Sequence, residues 1–196
     1  MAEHTPARPP RSQPTRDRIL DAARVIFARE GYERSTVRLV AAEAAVHPSM
    51  ITRYYGTKER LFTLAARIDL GLPDIVAVDS RGVGPALARH FVDLWEGDAA
   101  DGRLQALLRA SVSHEAARLA LVAMFDEQVG AMVRRIPGVS RPDRSAALIA
   151  SQLLGVAFTR YVARLPAMEA LSGEELVAAI APTIQQYIEC ADKKAG

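Results

Sequence analysis

A group of side chains suited to contacting nucleic acid lies between residues 49 and 58 of the chain. It combines hydroxyls, a thioether, a phenol and two cations: Ser49, Thr52, Met50, Tyr54, Arg53 and Lys58. Arginine, lysine, tyrosine and hydroxyl side chains bind phosphate oxygens, and hydroxyl and methyl groups can also contact base edges in the major groove. These residue types indicate a DNA contact surface, provided that the backbone presents them together.

Helical spacing predicts which of these side chains face outward. Ile51 and Tyr55 lie four residues apart, and we assign both to the core because an exposed isoleucine would gain nothing. Ser49, Met50 and Thr52 then face the groove. A methionine and a threonine methyl could each touch a thymine methyl, and the two hydroxyls can bond to either type of base.

Other cationic and polar side chains are placed to hold the phosphates beside the groove. Arg53 and Tyr54 flank the groove-facing residues and lie within reach of a backbone phosphate. Lys58 stands at the start of the next helix, where the positive end of the helix dipole adds to its attraction for an anion. Arg38, in the first turn of the preceding helix, is the arginine best placed for a guanine or a backbone oxygen.

An apolar stripe near the amino end predicts the helix that supports this surface. Apolar residues recur there at spacings of three and four residues: Ile19, Ala23, Ile26 and Phe27. This pattern predicts a first helix over residues 15–30, and Gly31 is a good residue to end it.

Two short helices follow and carry the candidate contact residues. Thr36 caps the second helix, over residues 37–44, and Pro48 opens the third, over residues 48–55, because its missing N–H would be unpaired there anyway. Residues 45–47 join them. Helices of about eight residues are marginal alone and must be fixed at a steep angle against the first helix. This is helix-turn-helix geometry, in which the third helix enters the major groove.

The remainder of the chain is also predicted to be helical. Thr57 caps a fourth helix that runs to Ile68. Residues 71–84 form a linker whose β-like run at 75–78 is too isolated to build a sheet. Five more helices follow, over residues 85–95, 103–112, 114–135, 142–164 and 173–190. Ser172 and Glu175 form a capping box on the last helix, which Pro182 should kink. The fold class is therefore all-α, with nine helices.

The charges divide the chain into a basic and an acidic part. The net charge of +2 combines +5 over residues 1–67 (12 basic, 7 acidic) with −3 over residues 68–196 (13 basic, 16 acidic). The basic part is the one suited to meeting an anion. We predict three segments: a polar, proline-rich mobile arm over residues 1–14, a helix-turn-helix domain over 15–68 and a second helical domain over 69–196.

Several other classes of protein are disfavoured. The single cysteine, Cys190, excludes an intrachain disulfide and, without a Cys/His cluster, a structural zinc site. The amino end lacks the apolar stretch of a secretory signal, and the most apolar stretch, residues 145–159, is shorter than the roughly 20 residues that a bilayer requires. We therefore expect a cytoplasmic protein with no membrane association, cofactor or metal.

Catalysis has little support in the sequence. Ser113, His114 and Glu115 are the residue types of a catalytic triad, but neighbours on a helix point about 100° apart and cannot relay a proton among themselves. Gly82 and Gly84 lack the third glycine and the preceding strand of a dinucleotide-binding loop. We do not expect an enzyme.

Residues 15–62 resemble the TetR family of bacterial transcriptional regulators. The resemblance lies in RILDAARVIFAREGYERSTVRLVAAEAAVHPSMITRYYGTKERLF, and RYYGTKERLF is its most diagnostic part. It implies that seven residues occupy positions that the family uses for DNA: Thr36, Arg38, Ser49, Met50, Thr52, Tyr54 and Lys58. Three positions depart from the family pattern: Ala45 replaces the common glycine of the turn, His47 replaces a serine-like cap, and Thr52 replaces a frequent aromatic residue.

The resemblance also implies a second domain that binds a ligand and dimerises. Its last two long helices, here 142–164 and 173–190, are expected to pair with their copies through apolar side chains: Leu154, Phe158, Leu176, Ile180, Ile184 and Tyr187. A monomer core could use the same residues. In a dimer, two reading helices about 34–36 Å apart match successive major grooves, so we expect double-stranded DNA with a near-palindromic operator as a partner.

The candidate ligand residues are aromatic, methionine and glutamine side chains at helix–helix positions: Phe91, Trp95, Met124, Phe125, Gln128 and Phe158. Core packing is the alternative role for each. Two functions remain open. The first is a sequence-specific transcriptional regulator, a repressor that a small molecule releases. The second is a helical protein that binds small molecules and has little affinity for DNA.

Overall fold

The computed structural model describes residues 13–75, 82–97 and 102–189. Most of the expected arm, residues 76–78 of the β-like run and Cys190 lie outside this part of the chain. Within it, all regular secondary structure is helical, in agreement with the predicted all-α class.

Four helices form the amino-terminal unit, which we call the head: α1 (Gln13–Arg34), α2 (Val37–Glu43), α3 (Pro48–Tyr55) and α4 (Lys58–Ala65). The expected end of the first helix at Gly31 is seen as a break inside α1, where Gly31 has a φ of 74°. The largest fully buried side chains of the head come from all four helices: Ile19, Ile26, Val40, Ile51 and Leu61. They form the core that fixes the two short helices, α2 and α3, against α1.

The expected N-terminal caps of the short helices are present. The Thr36 side chain accepts a hydrogen bond from the Leu39 amide at 3.2 Å, and Thr57 accepts one from the Arg60 amide at 3.2 Å. These bonds satisfy amides that a helix of seven or eight residues would otherwise leave unpaired at its start. The sequence therefore sets the boundaries of these helices locally.

The second domain, which we call the body, contains the remaining helices: α5 (Val83–Glu96), α6 (Arg103–Ser111), α7 (Glu115–Met124), α8 (Ala131–Arg134), α9 (Pro142–Ala157), α10 (Pro166–Glu169) and α11 (Gly173–Glu189). A π-helical segment, Phe125–Gly130, joins α7 to α8, and another, Phe158–Val162, extends α9. All five helices expected in this half are present. The addition is α10, a single turn in a segment that we expected to be a loop; Pro166 opens it, and the Ala170 amide bonds to the Pro166 carbonyl at 3.0 Å.

Helix α11 packs closely along α5. A Cβ atom added to Gly84 would lie 2.5 Å from the Ala181 carbonyl oxygen, so only glycine permits this approach. The Gly84 amide donates to Oε1 of Gln185 at 2.8 Å, which further joins the two helices. The expected capping box is present, because Ser172 and Glu175 exchange hydrogen bonds of 2.7 and 3.2 Å through their backbone amides. Helix α11 continues past Pro182 to Glu189.

The apolar segment Pro142–Val162, formed by α9 and its π-helical extension, is longer than the stretch of residues 145–159 that the sequence indicated. Its 21 residues are long and apolar enough to cross a membrane by length and composition alone, whereas the sequence suggested a shorter apolar stretch. It is the one such helix in the described part of the chain. Ile149 and Val156 are buried inside the fold, and Arg160 pairs with Glu96 at 2.7 Å. A core helix of a folded domain passes the same test.

Candidate functional site

Helix α3 presents the candidate base-contacting side chains as the spacing predicted. Ile51 and Tyr55 are buried, with exposed fractions of 1% and 8%. Ser49 and Thr52 are exposed, whereas Met50 is half-buried and packs against the core. The two hydroxyl side chains are therefore exposed on the surface of the head, and the thioether is partly withdrawn from it.

The turn before α3 has an unusual backbone conformation. Ala45 has a φ of 51°, in the left-handed region that glycine adopts readily and alanine does not. The turn is held by the Val46 amide, which donates to the Ala41 carbonyl at 3.0 Å. The chain thus keeps a tight turn without the usual glycine, with some strain at Ala45.

His47 caps α3 in place of the usual serine. Its Nδ1 atom accepts a hydrogen bond from the Ser49 amide at 3.3 Å and lies 2.8 Å from the Ser49 hydroxyl. Pro48 occupies the first turn, as expected. The imidazole therefore performs the capping role and also orients one of the two hydroxyls that face outward.

Two guanidinium groups lie close to the ring of Tyr54. Arg16 of α1 lies 5.3 Å from the centre of the tyrosine ring, and Arg53 lies 5.9 Å from it. The neighbouring Tyr55 hydroxyl donates to the Arg16 carbonyl at 2.7 Å, which fixes the start of α1 against α3. Arg16 is a candidate phosphate contact that the sequence analysis missed, because only the folded chain brings it to Tyr54.

The cations of the head fall into two groups. On α1, Arg24 and Arg29 form ion pairs with nearby carboxylates at 2.8 and 2.9 Å. Arg38 and Arg53, in contrast, are exposed and form no ion pair with the described residues. An unpaired surface cation keeps its full attraction for an external anion. The side of the head formed by α2 and α3 therefore carries uncompensated positive charge.

Lys58 is positioned by its neighbours at the start of α4. Its Nζ atom lies 4.2 Å from the centre of the Tyr32 ring and 3.4 Å from the Glu33 carbonyl oxygen. These contacts hold the ammonium group near the helix N-terminus, where we expected it to attract a phosphate.

The head joins the body through a group of rings. The Tyr32 ring lies 4.8 Å from that of Phe62 and 4.2 Å from that of His114 at the start of α7. Nε2 of His114 is 2.6 Å from a carboxylate oxygen of Glu33, in an ion-pair contact without hydrogen-bond geometry. Burial, followed by a hydrogen bond to Glu59, raises the pKa of Tyr32 to about 12. The phenol therefore stays protonated and keeps donating to Glu59.

An apolar cavity lies in the body among α5, α6, α7 and α9, and the space of about 640 Å³ between its walls includes a part that is open to solvent. Phe91, Trp95, Met124 and Phe125, proposed as ligand residues from the sequence, all line it. Linker residues Leu70 and Leu72, directly after the head, form another part of the wall. A ligand in this cavity would therefore touch the segment that connects to the head.

Two of the proposed ligand residues do not line the cavity. Phe158 is 45% exposed, because it points away from the core side of α9. Gln128 is occupied by the linker: its Oε1 accepts from the Leu70 amide at 2.8 Å, and its Nε2 donates to the Ile68 carbonyl at 2.7 Å. The Nε2 atom of His90 lies 2.7 Å from the Leu70 carbonyl. We call these three hydrogen bonds the linker clamp.

Half of the residues that the sequence suggested for the dimer interface are buried within a single chain. Leu176, Ile180 and Ile184 have exposed fractions of 1%, 4% and 0% within a single chain, so they cannot meet a partner. Periodicity marks an apolar face but not its neighbour, and here α11 packs on other helices of the same chain, closely enough on α5 that Gly84 meets Ala181. Leu154 is half-buried and lines the cavity, and Tyr187 is half-buried. Phe158 alone of the six is exposed.

A different face of α9 and α11 is left uncovered. Its exposed residues are mostly small: Ala147, Ser151, Gly155 and Phe158 on α9 and its extension, and Ala178, Ala179, Pro182 and Gln186 on α11. Small side chains let two helices approach closely. The sequence contained this pattern, but it became visible only once the buried face of each helix was known.

The residues considered for catalysis are engaged elsewhere. Glu115 pairs with Arg118 at 2.6 Å, and His114 faces Glu33 of the head. Within the described residues, no group of three or more His, Cys, Asp or Glu side chains could hold a metal ion.

Two family models match the chain. The model described as bacterial regulatory proteins, tetR family, matches residues 19–65, and the one described as tetracyclin repressor-like, C-terminal domain, matches residues 82–188. A curated relative, the HTH-type transcriptional regulator UidR of Escherichia coli K12, is 32% identical over 82 residues, or 42% of this chain. The matched segment spans only 39% of that regulator's own length.

Solved structures match over nearly the whole chain. A TetR-family regulator from Streptomyces coelicolor A3 is 26% identical, with 93% of this chain and 99% of that one covered and a TM-score of 0.60. The multidrug binding protein EbrR, complexed with proflavin, is 23% identical, with 86% and 98% covered and a TM-score of 0.59. The likeness to EbrR is one of fold.

Proposed function

The chain belongs to the TetR family of bacterial regulatory proteins, and we propose that it is a sequence-specific, DNA-binding transcriptional repressor that a small molecule releases from its operator. The observation that carries this proposal is the uncompensated positive charge of Arg38 and Arg53 beside the exposed hydroxyls of α3. Charge of this kind, on a helix-turn-helix head, favours binding to the phosphates of DNA. A cytoplasmic location follows, because the operator lies there.

We assign the contacts with DNA by reach and chemistry. Ser49 and Thr52 contact base edges, with Met50 contributing its exposed part to a thymine methyl. Phosphates are held on either side of the groove by the following residues: Thr36, Arg38, Pro48, Arg53, Tyr54 and Lys58, with Arg16 added from the structure. The Arg16–Tyr54 contact supports this addition, since it brings a cation of α1 to the edge of α3.

The binding unit is proposed to be a homodimer formed through the uncovered face of α9 and α11. Its small residues would allow the helices of two copies to pack closely, with Phe158 as its one large apolar side chain. A dimer with twofold symmetry would present two α3 helices to successive major grooves, which requires a near-palindromic operator. Ala178→Arg should therefore shift the chain from dimer to monomer in sedimentation, whereas A42R, on the exposed surface of α2, should not.

Release is proposed to pass through the linker. A ligand in the body cavity would contact Leu70 and Leu72, and the linker clamp fixes the same segment to α5 and to the π-helical segment after α7. A ligand that shifts the linker would shift the head that precedes it in the chain. Such coupling requires different ligand affinities for the two arrangements, a difference of about 1–3 kcal/mol in typical regulators.

The test begins with selection of bound sequences from random DNA, followed by affinity measurements at several salt concentrations. We expect near-palindromic sites and a logarithmic salt dependence with a slope of about −0.9 per phosphate bound. Arg53→Ala should weaken binding to all sites and make that slope shallower by about 0.9 for each phosphate that the variant no longer binds. Arg118→Ala is the matched control, because it removes an equal charge from an arginine that is exposed on the body and paired with Glu115.

The opposite results would favour the second function. If binding to DNA ignored both salt and sequence, and R53A behaved like R118A, the chain would be a small-molecule binding protein with little DNA affinity.

A further inference from the structure

The polar groups that border the body cavity are turned away from its interior. Both polar atoms of the Gln128 side-chain amide form hydrogen bonds with the backbone of Ile68 and Leu70, and Nε2 of His90 donates to the Leu70 carbonyl. With Nε2 donating to this carbonyl, Nδ1 is the one ring nitrogen of His90 that remains for a ligand. His90 is the one ionisable side chain among the described residues that line the cavity.

Two charged side chains behind the Trp95 part of the wall are paired with each other. Trp95 on the cavity wall stacks on Tyr161, with ring centres 4.7 Å apart and planes 8° from parallel. Beyond that ring, Glu96 accepts hydrogen bonds from Arg160 at 2.7 Å and from the Tyr161 hydroxyl at 2.8 Å. The carboxylate and the guanidinium therefore neutralise one another and offer no partner to a charged ligand.

The rest of the wall is aliphatic and aromatic. It includes Leu72, Leu94, Leu104, Met132 and Ile149 in addition to the aromatic rings. An ion moved from water into such a site loses its hydration and gains no partner, which is strongly unfavourable, whereas an apolar group gains by leaving water. The indole N–H of Trp95 and Nδ1 of His90 provide at most one donor and one acceptor for a ligand.

On the basis of the residues that line the cavity, we propose that the effector of this protein is an uncharged, largely apolar molecule with no more than one or two hydrogen-bonding groups. The proposal rests on the proposed function and specifies the ligand class of its cavity. Anionic and cationic molecules of equal size are disfavoured, because the described residues of the wall include no aspartate, glutamate, lysine or arginine. The aromatic rings of Phe91, Trp95 and Phe125 favour a ligand that itself carries a ring.

Three probes of equal shape test the ligand class directly: phenylbutanol, phenylbutyrate and phenylbutylammonium. Trp95 is the single tryptophan of the chain and lines the cavity, so its fluorescence reports on binding without DNA. We expect phenylbutanol to bind at least about tenfold more tightly than either charged probe. Equal or tighter binding of a charged probe would overturn the proposal, as would a folded protein that binds none of the three.

A charge placed in the wall should reverse the preference. Leu94 is half-buried and borders both the cavity and an open groove, so a polar side chain can be accommodated there. Leu94→Glu should bind phenylbutylammonium more tightly than phenylbutanol, whereas L94Q, of the same shape but uncharged, should keep the preference for the alcohol. If L94Q and L94E, both checked for folding by thermal unfolding, showed the same preference, the electrostatic argument would be wrong.

Measurement of operator affinity in the same samples separates this proposal from the proposed function. If phenylbutanol binds and operator affinity is unchanged, the ligand class stands while release by a ligand of this class fails. If a charged probe binds best and weakens operator binding, release stands and the ligand class is wrong.

Discussion

The α2–α3 side of the head and the cavity region of the body differ in whether their charged side chains are paired. In the head, Arg38 and Arg53 are exposed without a carboxylate partner among the described residues, which keeps their attraction for phosphate. In the body, Arg160 is only 9% exposed and pairs with Glu96, which leaves the cavity beside it without a free charge. One region can therefore attract a polyanion from solution, and the other can accept an uncharged molecule. A single chain obtains both properties by where it places its ion pairs.

The body, unlike the head, depends on the close packing of two long helices, α5 and α11. A substitution at Gly84, where they meet, should give the largest change in stability of those proposed here. Gly84→Ala places a methyl group against the Ala181 carbonyl and forces α5 away from α11. We expect the free energy of unfolding, measured by chemical denaturation, to fall by about 3 kcal/mol. The exposed neighbour provides the control, since P85A should change that free energy by no more than about 1 kcal/mol, through the entropy of the unfolded chain. A G84A variant as stable as the wild type would show that the packing of α5 on α11 relaxes easily.

The same difference explains how much the sequence could predict. Helix boundaries and caps in the head depend on neighbouring residues, such as Thr36 and the Leu39 amide, so the pattern alone located them. The inward positions of Ile51 and Tyr55 followed from spacing for the same reason. Arg16 was missed because its contact with Tyr54 spans much of the head and leaves no local signal.

In the body, the predictions that failed depended on which surfaces meet. Leu176, Ile180 and Ile184 were correctly identified as an apolar face, but a repeat of apolar residues does not show whether α5 or a second copy covers it. Their burial within one chain decides the matter, and the close approach of α5 to α11 at Gly84 lies outside that repeat. Gln128 was interpreted as a ligand residue from its type, whereas its distance along the chain from Ile68 and Leu70 concealed its role in the linker clamp.

Breaking the linker clamp should weaken the coupling between the cavity of the body and DNA binding by the head, while both domains remain in the chain. Gln128→Leu leaves the Leu70 amide and the Ile68 carbonyl without their partner, which should cost about 2 kcal/mol in the free energy of unfolding. We further expect phenylbutanol to lower the operator affinity of this variant less than that of the wild type, because the linker no longer follows the body. The measurement is the ratio of operator affinities with and without the probe.

Gln128→Glu sharpens this test. It retains an acceptor for the Leu70 amide and removes the donor to the Ile68 carbonyl. The ratio of operator affinities with and without phenylbutanol should lie, for Q128E, between the ratios of the wild type and Q128L. Full coupling in Q128L, despite normal probe binding, would rule out the linker clamp as the route of release.

The ring group between head and body predicts a dependence on alkaline pH. Burial and Glu59 raise the pKa of Tyr32 from 10.0 to about 12, so the folded state favours the protonated phenol. The stabilisation is complete below the unfolded pKa of 10.0 and disappears as the pH rises through about 12. After screening by solvent, we expect stability to fall by about 1 kcal/mol across this range. The stability of Tyr32→Phe should fall less steeply over the same pH range, and parallel curves would contradict the assignment.

The smallest effect should come from the turn between α2 and α3, where the head departs from its otherwise favourable local geometry. Ala45 has a φ of 51°, which costs alanine more than glycine, while glycine loses more chain entropy on folding. The net result should be a gain of about 0.5 kcal/mol in the free energy of unfolding of Ala45→Gly. The same exchange at the exposed, helical Ala42 should instead lower it by about 1 kcal/mol. Opposite signs for A45G and A42G would locate the strain in the turn, whereas a decrease in both would show that the neighbouring hydrogen bonds already make the left-handed conformation acceptable to alanine.

Because the turn directly precedes α3, operator affinity measured beside stability would also show whether this strain helps to set the angle of the reading helix.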